Sequence, residues 1–335
     1  MTHRVQIDSR WVGYGEPVFV IAEIGSNHDQ DFDRARRLID ASVDAGADAV
    51  KFQLFSARAL YPHGGDQSEI LRKLELPYDW VPALADHARD RGVPFLASPF
   101  DEEAVRVLVS VGTPAIKIAS SETVNLPLVA HAAATQRPMI VSTGMCDLAD
   151  VSEAVETIRS AGNRDIVLLK CSALYPTEPA QAHLAGMKTL RRAFAVPVGF
   201  SDHTLGIAVA IAAVAQGAAI IEKHFTLDRA GAGPDHFYAQ TPPSFASMVQ
   251  AIREAEASIG DPTIHMLPAE RVHARRDSLR ATTDLTVGTA LTRDHLTEER
   301  PADGIRPRFA RLVVGRRLRR AVARGEAITW ESLEP

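Results

Sequence analysis

Eight times in succession a short β-prone run is followed by a longer amphipathic segment, and this alternation restricts the chain more than any other feature. The runs cover residues 18–23, 49–53, 94–98, 115–119, 139–142, 166–170, 198–201 and 219–223. Between them lie helical patterns such as residues 32–46, whose apolar positions recur at three- and four-residue spacing and which close on Gly46. Eight strand–helix units within about 250 residues fit a closed (β/α)8 barrel better than an open doubly wound sheet. No GxGxxG follows the first run, which argues against a dinucleotide fold.

The pattern changes near residue 260. Residues 261–276 are polar, contain two prolines and lack a period, and from Ser278 onward short strands and turns take over. The organisation expected is a barrel over 1–262, a linker over 263–277 and a small domain over 278–335. About 60 residues is small for an independent core, so the last module is expected to pack on something. The net charge of −5 hides an asymmetry, because the chain from Arg275 onward holds 13 arginines against 9 acidic residues. The tail therefore carries +4 and the remainder −9, so no basic field suggests nucleic acid. Cys146 and Cys171 are too few for a disulfide framework, which points to a reducing, cytoplasmic setting. The first residues lack a signal-peptide core, and the longest apolar stretch, residues 205–221, is broken by Gln216-Gly217, so no membrane span is expected.

In such a barrel the chemistry sits where strands run into the loops that follow them. Those positions hold Glu23, Lys51 and Gln53, Ser98, Lys117 with Ser120 and Glu122, Ser142, Lys170 with Ser172 and Tyr175, Ser201 with His203, and Glu222 with His224. Lys51 and Lys117 lie inside apolar runs, so their ammonium groups point into the barrel mouth and need anionic partners. An internal pair with Glu23 or Glu222 would satisfy them, and so would a bound phosphate and carboxylate held with Ser98, Ser142 and Ser201. One helix and a tight turn separate His203 from His224, which places both imidazoles at the same end of neighbouring parallel strands. Two neutral nitrogens there suit a divalent metal, the alternative being hydrogen-bonded structural histidines. The loop Gly231–His236 can bring Asp235 near them or leave it solvated.

Taken together, residues 21–28 (IAEIGSNH), 47–53 (ADAVKFQ), 117–122 (KIASSE), 142–145 (STGM), 175–177 (YPT), 199–206 (GFSDHTLG) and 222–225 (EKHF) resemble the sialic acid synthase family. The tail resembles that family's C-terminal antifreeze-like or SAF domain, with Arg300-Pro-Ala-Asp-Gly-Ile305 at its Arg-Pro-Gly-x-Gly-Ile motif. The resemblance implies an enzyme that condenses phosphoenolpyruvate with an N-acylated aminohexose to give a nine-carbon 2-keto acid. It further implies manganese or magnesium on His203 and His224, phosphoenolpyruvate on Lys51, Lys117, Ser98, Ser142 and Ser201, and Glu23 handling the water or the intermediate. Asp235 is assigned to the metal-bound water or a sugar hydroxyl. Gln53, Ser120, Glu122 and Tyr175 are expected on the substrate side of the pocket. A domain-swapped homodimer is implied, with Arg300 of one subunit reaching the N-acyl group in the other. Departures at Ala173 and Ala302 bear on the sugar, leaving a diacetamido-trideoxyhexose, another aldose, or a non-catalytic carbohydrate-binding barrel as alternatives.

Overall fold

A computed structural model of the chain describes residues 4–273 and 275–335. Met1–His3, in the expected barrel domain, and Ala274, in the expected linker, lie outside them. Two compact units divide at Gly260. The first opens with a hairpin of β1 (Arg4–Ile7) and β2 (Arg10–Gly13), turned at Asp8 with a positive φ. Eight parallel strands follow: β3 (Phe19–Gly25), β4 (Ala49–Leu54), β5 (Phe95–Pro99), β6 (Ile116–Ile118), β7 (Met139–Ser142), β8 (Ile166–Cys171), β9 (Val198–Asp202) and β10 (Ile220–His224). They are ordered β5-β4-β3-β10-β9-β8-β7-β6. The ends of that row, β5 and β6, also lie side by side, and the Thr113 hydroxyl donates to Phe95 O at 2.9 Å across the seam. The sheet is thus a nearly closed barrel.

Side-chain alternation divides each strand between two cores. Inward residues such as Phe19, Ile21, Leu96, Ile140, Val167, Leu169 and Ile220 fill the barrel, and Val5, Ile7 and Val12 of the hairpin join that cluster. Outward residues such as Val20, Val50, Phe52, Phe200 and Ile221 pack against the helices. The helix Phe32–Asp44 shows why these segments form where they do. Asp31 caps it by accepting from Arg34 N at 2.9 Å, and Ala35, Leu38 and Ile39 form its buried stripe. Gly46, with φ +89°, turns the chain into β4. Gly199 is needed for another reason, since a Cβ there would lie 2.5 Å from Ile220 O and 2.7 Å from Leu169 Cδ2.

The second unit runs from Asp261 to the end. A short helix, Pro268–His273, lies within the stretch read from sequence as linker. β11 (Ser278–Ala281) pairs antiparallel with β12 (Leu296–Glu299). Eleven buried apolar residues, among them Leu279, Leu291, Ile305, Leu318 and Ile328, give this unit a core of its own. Among the described residues no helix is long and apolar enough to cross a membrane.

Candidate active site

The ladders bring the polar strand ends to one level. His224 pairs in register with Glu23, Glu23 with Lys51, Gln53 with Ser98, and Glu222 with Ser201. Because inward positions alternate, all of these side chains face the barrel mouth. They line a cavity of about 120 Å³ together with Lys117, Ser120, Ser142, Tyr175 and His203. Eleven of the fourteen residues proposed from sequence line it. Asp235 stands at its edge, with Oδ2 at 3.9 Å from His224 Nδ1. Glu122 follows Ser120 and Ser121 and accepts from Asn125 Nδ2 at 2.9 Å. Arg300 belongs to the second unit, where its Nε lies 3.3 Å from Asp277.

Two cations and two carboxylates share the floor. Lys51 Nζ sits 2.5 Å from Glu23 Oε2 and 3.9 Å from Glu222 Oε2, and donates to Ser98 Oγ at 3.2 Å. Lys117 Nζ lies 3.7 Å from Glu222 Oε1, which also accepts from Ser201 Oγ at 3.0 Å. The internal Lys–Glu pairing weighed from sequence is therefore present. Burial works against the Lys51 ammonium, but Glu222 and Glu23 outweigh it and hold its pKa above the ordinary value. Lys117 is pushed down, because burial is offset only in part by Glu222 and Lys51 repels it. Burial opposes the Glu222 carboxylate as well, yet Lys117 and Lys51 bring it down to about 2. Glu23 goes the other way, raised by burial and by Glu222. Pairing is incomplete all the same: Ser142 Oγ and Glu222 Oε2 are buried with no hydrogen-bond partner. Buried polar atoms are rarely left so; Ser142 Oγ, a hydroxyl lining the cavity, can donate to a ligand oxygen, whereas Glu222 Oε2 can only accept.

The imidazoles stand beside this floor with ring centroids 5.3 Å apart. His203 Nδ1 lies 2.9 Å from Ser172 O, a carbonyl that can only accept, so Nδ1 is the donor and the ring is oriented through it. His224 is lowered by burial and stays neutral, and its Nδ1 is buried without a hydrogen bond. Two imidazoles, one oriented through a carbonyl and one with an unsatisfied nitrogen, fit a divalent metal held by two protein nitrogens. Among the described residues no three His, Cys, Asp or Glu side chains are grouped so as to hold a metal ion, here or elsewhere, so the two histidines stand without a third protein ligand. A metal held there would take its other ligands from water or substrate oxygens.

Residues 38–263 match the NeuB family and residues 276–334 match the SAF domain. The chain belongs to the NeuB family. The N,N'-diacetyllegionaminic acid synthase of Legionella pneumophila is 38% identical to it, over 94% of this chain and 94% of that protein. The N-acetylneuraminate-9-phosphate synthase of Mus musculus is 35% identical over 86% of this chain and 84% of that one. The crystal structure of N-acetylneuraminic acid synthetase from Leptospira borgpetersenii superposes with a TM-score of 0.77 at 30% identity, covering 82% of this chain and 95% of that one. The family and its sialic-acid-type synthase character are thus settled, and the aldose is not.

Three parts of this NeuB-family site carry no role in the sequence reading. Glu222 was noted only as a pairing alternative, although it joins both lysines to Ser201. Tyr238 was missed: it is buried, packs 4.9 Å from the His224 ring and donates to Asp235 Oδ1 at 2.6 Å. Its place three residues after Asp235 in a loop already singled out was the available signal. Gly25 belongs with them, since it has φ +55° and a Cβ there would lie 3.3 Å from both Asp235 Oδ2 and Glu23 Oε1.

Proposed function

We propose that this NeuB-family chain condenses phosphoenolpyruvate with an open-chain N-acylated aminohexose of the N-acetylmannosamine type, giving a nine-carbon 2-keto acid and inorganic phosphate. Carbon 3 of phosphoenolpyruvate attacks the aldehyde carbon, and the aldehyde oxygen takes a proton to become a hydroxyl. Water adds to the cationic carbon 2, and the tetrahedral intermediate collapses by C–O cleavage with loss of phosphate. Lys51, Lys117, Ser98, Ser142 and Ser201 bind the phosphate and carboxylate through charge-assisted hydrogen bonds. Glu23, whose carboxyl is raised by burial, carries the proton that moves to or from the water. Gln53 donates to Glu23 at 2.9 Å and orients it, while Ser120, Glu122, Tyr175 and Asp235 face the sugar. A manganese or magnesium ion on His203 and His224 supplies Lewis-acid polarisation of the aldehyde oxygen when bound.

The observation that carries this reading is the convergence of Lys51, Lys117, Ser98, Ser142, Ser201, His203 and His224 on one cavity with unsatisfied polar atoms. The acidic body and basic tail are compatible with a domain-swapped homodimer in which Arg300 of one subunit meets the N-acyl group in the other, and the two unpaired cysteines are compatible with a reducing cytoplasm. A second aldose, a 2,4-diacetamido-trideoxyhexose, is favoured by Ala173, which offers the pocket no polar side chain, and by the Legionella pneumophila relative. The test is phosphate release from phosphoenolpyruvate by metal-stripped protein given manganese and a panel of free aldoses. Release with N-acetylmannosamine supports the first sugar, and release only with the diacetamido sugar transfers the assignment. Silence with every sugar from folded protein overturns catalysis and leaves a carbohydrate-binding barrel.

A further inference from the structure

The side of β9 and β10 that faces the helices holds one charged pair in an otherwise apolar layer. Phe200 and Ile221 occupy this layer a few positions earlier, yet Asp202 and Lys223 follow them, both buried and directly in register across the two strands. Lys223 Nζ donates to Asp202 Oδ2 at 2.7 Å, to Gly206 O at 2.8 Å and to Thr204 O. Its three protons are all placed. Asp202 Oδ1 in turn accepts from Thr204 N at 2.9 Å.

A buried ion pair stabilises a fold no better than a well-packed apolar pair of similar volume, so stability alone does not account for one here. Its position does. His203 lies between Asp202 and Thr204, and both are bound to Lys223, whose own neighbour is His224. The pair therefore ties the backbone on either side of one imidazole to the residue before the other.

We propose that the Lys223–Asp202 pair is a positioning device that sets the two imidazoles of His203 and His224 at the separation and tilt with which they hold a divalent metal. The proposal rests on the metal reading of those histidines. Residues that orient metal ligands from behind typically change metal affinity by about 10- to 100-fold when removed.

The experiment compares wild-type protein with Lys223→Met and with the double variant Asp202→Leu/Lys223→Met, which replaces the pair by apolar side chains. Manganese affinity is read by the EPR signal of the free ion, folding by thermal melting, and phosphoenolpyruvate affinity by calorimetry. The double variant is expected to fold, melting below the wild type because Thr204 O, Gly206 O and Thr204 N lose their partners, and to bind phosphoenolpyruvate normally, with a manganese Kd raised about 10- to 100-fold. Lys223→Met, which leaves Asp202 unpaired, either unfolds or shows the same loss, and the double variant decides. A folded double variant with the wild-type manganese Kd overturns the proposal alone. Wild-type protein that binds no manganese overturns the metal reading and takes the proposal with it. If the double variant does not fold, Lys223→Arg, which keeps the charge but not the three-way geometry, decides by the same Kd.

Discussion

Glu222 is the place to test the electrostatics of the site, because one carboxylate serves two buried lysines. Replacing Glu222 by Gln keeps the volume and the Ser201 contact and removes the charge. Its fall from the ordinary 4.5 to about 2 corresponds to about 3 kcal/mol of native-state stabilisation at neutral pH. Coulomb energies agree in scale, since separations of 3.7 and 3.9 Å at an effective dielectric of 20 give about 4 kcal/mol each before burial is charged against them. Lys117, already pushed down by burial, can release its proton once Glu222 is gone, which keeps the loss below the 5 kcal/mol or so seen when a buried charge is stranded.

The sign follows from the direction of the shift. A depressed carboxylate contributes stability that is complete above about 4.5 and is lost as pH falls towards about 2. Urea denaturation at pH 7 is expected to show Glu222→Gln about 3 kcal/mol less stable than wild type, with the difference shrinking as pH falls below about 4.5. Phosphoenolpyruvate should restore more stability to the variant than to the wild type, because its anions take the place of the missing carboxylate. A variant within 1 kcal/mol of wild type at pH 7, or one losing stability in acid as steeply as wild type, refutes this account of the floor.

Gly199→Ala puts a methyl group 2.5 Å from Ile220 O, and a loss of about 1–3 kcal/mol is expected by thermal melting; an unchanged midpoint counts against the tight barrel interior. His203→Ala and His224→Ala should each abolish the manganese response of phosphate release, and manganese-dependent turnover in both variants would sink the ligand assignment. The raised carboxyl of Glu23 should take up a proton as the phosphoenolpyruvate anion arrives, so binding weakens as pH rises through its folded value. Calorimetry in two buffers of different ionisation enthalpy reads that proton, and identical heats would refute it.

Much of this was legible because barrel geometry converts sequence alternation into position. Once residues 49–53 and 115–119 are strands, Lys51 and Lys117 can only face the interior that Ala49 and Ala115 also face. What stayed hidden depended on pairing rather than pattern. The β1–β2 hairpin has two four-residue strands, too short for a strong period, and its role as a plug comes from Val5, Ile7 and Val12 meeting side chains far along the chain. Asp202 and Lys223 read as ordinary polar residues until the β9–β10 register sets them against each other. Tyr238 sits in a loop whose path no periodicity describes.

The same residues explain why the floor can exist before any substrate arrives. Two lysines facing two carboxylates leave little net charge, so the barrel folds without an anion to neutralise it. The balance is uneven, however, with Glu222 held firmly ionised and Glu23 pushed towards its neutral form. An arriving trianion competes with the carboxylates for the lysines, and Glu23 can yield by taking a proton where Glu222 cannot. On the proposed reaction, the group that yields is the one assigned to the water added at carbon 2. One electrostatic arrangement thus suits an empty barrel that is stable and, if the proposed reaction holds, a loaded one in which the carboxyl nearest Lys51 moves a proton.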